Sequence, residues 1–163
     1  MKMTTLAATA TVMIAAFSTA HAYDPKATIA DLDARLAKIG AAKVEGTDKI
    51  GDKTVPAMFF GERKINNNYD VVDGVRKTHN ATATVFVKQG DEFVRVSTNV
   101  LTPEGKRGVG TLLARNKAYE AVIKGEPYCG PVDVLGTAFD ACYHPIKDGG
   151  GRIVGLSYIG HKK

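Results

Sequence analysis

The chain has 163 residues, with 22 Lys and Arg against 17 Asp and Glu, 44% hydrophobic residues, two cysteines and no tryptophan. That length carries a compact domain with a sizeable core, and the positive charges are scattered rather than clustered, which excludes nucleic acid as a partner. No apolar run after the first 22 residues is long enough to cross a bilayer as a helix.

Lys2, the apolar run Leu6 to Phe17, and the small residues Ala20 and Ala22 before Tyr23 have the order of a secretory signal peptide. The expectation is a leader over residues 1–22, an uncleaved anchor being the alternative, then a single domain over 23–163 in the periplasm or secreted. Pro25 then opens a helix in which Ile29, Leu32, Leu36 and Ile39 repeat at helical spacing before Gly40 stops it. Residues 41–53 read as a polar connector, Val55 to Ile65 as the first strand, residues 66–68 as an asparagine turn, and Tyr69 to Lys77 as a short helix.

Val85 to Val87 and Phe93 to Val100 read as a hairpin joined through Gln89, Gly90 and Asp91. Alternation puts Val94, Val96, Thr98 and Val100 on one face and Arg95, Ser97 and Asn99 on the other. A guanidinium in a strand is either solvated or half-buried against an anion, because a buried charge without a partner costs several kcal/mol, roughly. Residues 102–108 read as a loop, with a helical stretch from Thr111 through Ile123. Tyr128 to Leu135 and Phe139 to Ile146 form a second hairpin around Gly136 and Thr137, and Ile153 to Ile159 is the last strand. Five or six strands with helices on their faces make an α+β protein built on an antiparallel sheet.

The motifs FVRVSTNV at 93–100, INN at 65–67, TATVFV at 82–87, KRGVGTLL at 106–113, YCGPVDVLG at 128–136 and YHPI at 143–146 occur in order. Together they resemble the single-Cache extracytoplasmic sensor domain of methyl-accepting chemotaxis receptors and sensor kinases, over about Met58 to Gly160. The chain departs from the family pattern at Cys129, Gly108 and His144. The resemblance implies a PAS-like sheet with a long N-terminal helix, signal transduction, and binding of a small organic acid, amino acid or similar metabolite. A chain ending soon after its last strand is expected to need a membrane receptor, sensor kinase or transporter as partner. The family motif covers Arg95, Ser97, Thr98, Arg107 and Thr111.

Arg95, Arg107 and the turn from Gly108 to Thr111 are the candidate anion pocket, in which a helix starting at Thr111 would present free backbone N–H groups to a carboxylate. The structural alternative pairs Arg95 with an internal acid such as Asp133. Tyr128, Tyr143 and His144 are candidates for a further pocket wall, core packing being equally open. Cys129 and Cys142 fall diagonally on one sheet face if the turn is centred on Gly136 and Thr137. In an oxidising compartment they are expected to form a disulfide, with a metal site of both cysteines and His144 as the alternative. No nucleophile–base pattern, phosphate loop or haem motif is present, so neither an enzyme nor a cofactor is expected. Two further readings stay open: an interaction module that has lost its ligand, and a redox or metal-handling protein.

Overall fold

Asp24 opens α1 (Pro25–Ile39) by accepting from the backbone N–H groups of Lys26 and Ala27, and Pro25 loses no hydrogen bond at the first helical position. The computed structural model describes residues 23–163, so the leader expected over 1–22 lies outside the described residues. Ile29, Leu32 and Leu36 are buried, as their spacing predicts. The helix ends at Gly40, whose φ of 150° disfavours a side chain and where a Cβ would collide with the Gly61 backbone. Among the described residues no helix is long and apolar enough to cross a membrane.

Residues 41–53 are not a connector. They contain β1 (Ala42–Ile50), which pairs antiparallel with β2 (Lys53–Phe60); β3 (Arg63–Lys64) completes a three-stranded sheet. Only Ala42 and Ile50 of β1 are buried, so its composition hides the strand that its pairing makes. The expected single strand over 55–65 is divided by the turn at Gly61 and Glu62. Next comes α2 (Asp70–His79), with Val72 and Val75 fully buried and left-handed Asn80 closing it.

The main sheet contains β4 (Thr82–Gln89), β5 (Glu92–Thr98), β6 (Tyr128–Val134), β7 (Thr137–Lys147) and β8 (Ile153–Lys162), all antiparallel in the order β5-β4-β8-β7-β6. The architecture is the expected α+β, PAS-like one. Helices α1 and α2 cover one face, over Ala83, Val85, Val94, Val96 and Ile159. The opposite face carries Phe86, Phe93, Tyr143, Leu156 and Tyr158 in one apolar cluster with Leu113 and with Ala118 and Val122 of α3 (Lys117–Val122).

Both faces of β5 are therefore buried, and a bulge changes which side chains share them. Phe86 stands opposite Arg95 and Val85 opposite Ser97, leaving Val96 as the extra residue. Ser97 consequently falls on the helix-covered face with Val85. Thr98, opposite Thr84, returns to the face of Phe86 and Arg95. The expected grouping of Arg95 with Ser97, and of Thr98 with the valines, is therefore overturned by the bulge.

Candidate functional site

Arg95 projects from the second strand of a hairpin into the layer between the sheet and α3, where it is only 3% exposed. Its Nη1 donates to Thr111 Oγ1 at 2.9 Å and to the carbonyl of Leu112 at 3.0 Å. The guanidinium carbon lies 4.8 Å from the centroid of the Phe86 ring. Its Nε is buried and has no hydrogen-bond partner. Among the described residues no acid pairs with it: Asp133, the internal partner considered from the sequence, instead accepts from the backbone N–H of Gly136 at the β6–β7 turn. Burial lowers the pKa of Arg95 from its ordinary value, but arginine titrates so far above neutrality that the charge remains. A desolvated cation with neutral neighbours only is costly unless an anion compensates it.

The Thr111 helix is absent. Residues 107–113 run as an extended segment beside β5, bridging Leu101 with Arg107 and Val94 with Leu112. The N–H groups of Gly108, Gly110 and Leu113 bond to Val100, Arg95 and Phe93 carbonyls, so the turn is an added edge of the sheet rather than a helix start. Thr111 is half-buried; its hydroxyl donates to the Gly108 carbonyl at 2.6 Å and accepts from Arg95.

The remaining candidates divide between two faces. The Ser97 hydroxyl donates to the Asn68 carbonyl at 2.6 Å. Arg107 clamps Asp73 of α2 through two 2.8 Å bonds, donates to the Thr98 carbonyl and stacks on Tyr69 at 4.4 Å. Thr98 is buried with its hydroxyl 2.6 Å from that of Thr84. Tyr143 joins the Arg95 layer, its ring centroid 4.9 Å from that of Tyr158 and 6.4 Å from that of Tyr128. Burial pushes both the Tyr143 and the Tyr158 phenol well above the ordinary tyrosine value. His144 points the other way: its Nδ1 lies 2.6 Å from Asp33 of α1, which also accepts from the Ser157 hydroxyl at 2.5 Å.

Arg95, Thr98, Thr111, Tyr128 and Tyr143 thus belong to one layer, and Ser97, Arg107 and His144 help anchor α1, α2 and the loop between the β1–β2–β3 sheet and α2. Phe86, whose ring packs over the Arg95 guanidinium, and Tyr158 in the same layer were not among the sequence candidates. The β4–β8 pairing, which sets Phe86 beside Leu156 and Thr84 beside Tyr158, is long-range and has no local signal.

Cys129 and Cys142 are bridged. The β6–β7 turn is centred on Leu135 and Gly136, both at positive φ, rather than on Gly136 and Thr137. A two-residue turn of this type needs positive φ at both positions, which β-branched Thr137 resists. The register puts the cysteines directly opposite one another, with α-carbons 4.1 Å apart, instead of diagonal. The bridge removes both thiolates from the alternative metal site.

Arg95 does not line the main surface clefts of the described residues. A cleft of about 360 Å³ is walled by Tyr128, Pro131 and Asn116, and one of about 530 Å³ opens at the opposite end of β6. The Phe86 ring packs over the guanidinium.

The model of the Cache 3/Cache 2 fusion domain matches residues 4–163. Among solved structures, the chain is similar to the sensor domain of E. coli DcuS, with 20% identity and a TM-score of 0.42 over 56% of this chain. That match spans 63% of the DcuS chain, less than two thirds of its length. No curated protein matches.

Proposed function

The chain belongs to the Cache 3/Cache 2 fusion domain family, and from that premise we propose that it is a periplasmic sensory domain that binds a small organic anion, a carboxylate, against Arg95. Membership in a family of non-enzymatic ligand-binding domains supports the binding role. The observation that carries the anion is Arg95 itself: a charge 3% exposed, bonded only to neutral oxygens, with an unpartnered Nε. A carboxylate matches the planar fork of a guanidinium and supplies the missing counter-charge.

Thr111, Thr98 and Tyr143 border the guanidinium layer and complete the ligand set, with Tyr128 at its edge. Ser97, Arg107 and His144 support the site indirectly through the helices and the loop before α2. The segment over residues 99–116 moves to admit the ligand and orders around it, and a membrane receptor, sensor kinase or transporter reads the loaded state. Thermal unfolding of the purified protein against organic acids, amino acids, amines and neutral sugars tests this reading. Stabilisation by at least one carboxylate and by no amine supports it; a flat response across the panel overturns it.

A second reading has its own observation. Phe86 and Phe93 are fully buried and fill the layer around Arg95, as in an interaction module whose pocket has closed. Capture of a receptor ectodomain by a protein that answers to no ligand favours that reading.

A further inference from the structure

A concentration of positive charge lies away from Arg95. The cleft of about 530 Å³ opens between the end of α2, the end of β8 and the β6–β7 turn, and Arg76, His161 and Lys162 all stand on its wall. No aspartate or glutamate lines it. Several cations elsewhere do pair with acids: Arg35 with Asp31, Arg107 with Asp73, Arg115 with Glu92, Arg152 with Asp148. Even Lys163, next in sequence to the cleft, pairs with Asp140. Among the described residues Arg76 and Lys162 have no such partner.

Asn80 and Thr137 add neutral donors to the same wall. Cations of one sign gathered on a concave, low-dielectric surface raise the local concentration of anions. A monocarboxylate offers only one negative charge to two unpaired cations.

We propose that this cleft is a second binding site, separate from Arg95, for a small anion carrying two or more negative charges, held by Arg76 and Lys162. Arg95 does not line this cleft, so the two sites are separate.

The test is a titration of the ¹⁵N-labelled full chain with inorganic phosphate, citrate and acetate at constant ionic strength, followed by amide shifts. Saturating shifts confined to the residues around Arg76, Asn80, His161 and Lys162 are expected with phosphate or citrate, and none with acetate. Saturation by phosphate alone assigns a phosphate-type anion, and saturation by citrate alone a polycarboxylate. The double variant Arg76→Glu, Lys162→Glu should weaken binding by about tenfold or more, and Arg76→Gln alone by about threefold. Both side chains are exposed, and unchanged amide positions elsewhere verify the fold. Arg95→Met should leave this binding intact, which separates the cleft from the Arg95 site. Shifts that spread over the surface lysines without saturating, or a charge-reversed protein that binds equally well, overturn the proposal.

Discussion

Arg95 Nη1 donates to Thr111 Oγ1 across 2.9 Å, and the same hydroxyl donates onward to the Gly108 carbonyl at 2.6 Å. The threonine thus aims a strand-borne guanidinium from the segment that runs beside that strand. Thr111→Val removes the acceptor and leaves Nη1 with the Leu112 carbonyl alone. Urea unfolding should show a loss of about 1 to 3 kcal/mol, with Thr111→Ser restoring most of it. Equal stability of the valine variant and the parent would mean that the hydroxyl does not hold the guanidinium.

The bridge between Cys129 and Cys142 closes a loop of 13 residues between the edge strand β6 and β7. In the chain-entropy model a loop of this size stabilises by about 3 kcal/mol. The Cys129→Ser, Cys142→Ser protein, or the parent under strong reductant, should melt roughly 6 to 12 °C lower. An unchanged melting temperature contradicts a structural role for the bridge.

Tyr143 and Tyr158 have phenols raised above the ordinary value of 10.0, by burial first of all. Their folded values lie above the unfolded one, so the unfolded chain gives up these protons first. The stability they contribute is complete below pH 10 and declines as the pH climbs beyond it. An absorbance titration of the phenolate band beside circular dichroism should show these two rings ionising only as the sheet unfolds. Full phenolate formation near pH 10 with an intact fold refutes the burial argument.

Asp33 ties α1 to the sheet by accepting from Ser157 at 2.5 Å and contacting His144 at 2.6 Å. Ser157 is fully buried, whereas the Asp33 carboxylate is partly solvated. Asp33→Ala strands a buried hydroxyl and should lower stability by about 1 kcal/mol, the exposure of the acid limiting the effect. In a double-mutant cycle with Ser157→Ala the two losses should be less than additive; strict additivity would show that the contact contributes nothing.

The sequence carried most of what local pattern can encode. The apolar spacing of Ile29, Leu32 and Leu36, the turn at Gly90 and the β-branched runs of β4 and β8 are short-range signals, and each element formed where expected. β1 escaped because a solvated strand in a small sheet has no apolar face to display. Thr111 was misread because the run after it fits a helix by composition, whereas backbone bonds to β5 keep it extended. The bulge at Val96 and the two-residue shift of the β6–β7 register lie beyond pattern, since each depends on the partner strand. For the site, the charged residue in a buried strand was legible. Its enclosure by Phe86 and Tyr158 was not, because β8 reaches β4 across some 70 residues of chain.

Isothermal calorimetry of the parent and of Arg95→Met with whichever carboxylate stabilises the protein tests the central claim most directly. Met fills much of the same volume and removes a buried charge that has no acidic partner, so the ligand-free variant should melt at or above the parent temperature. Its affinity for the carboxylate should fall by about tenfold or more. A variant that binds the carboxylate as tightly as the parent would contradict the assignment of Arg95 as the anion anchor.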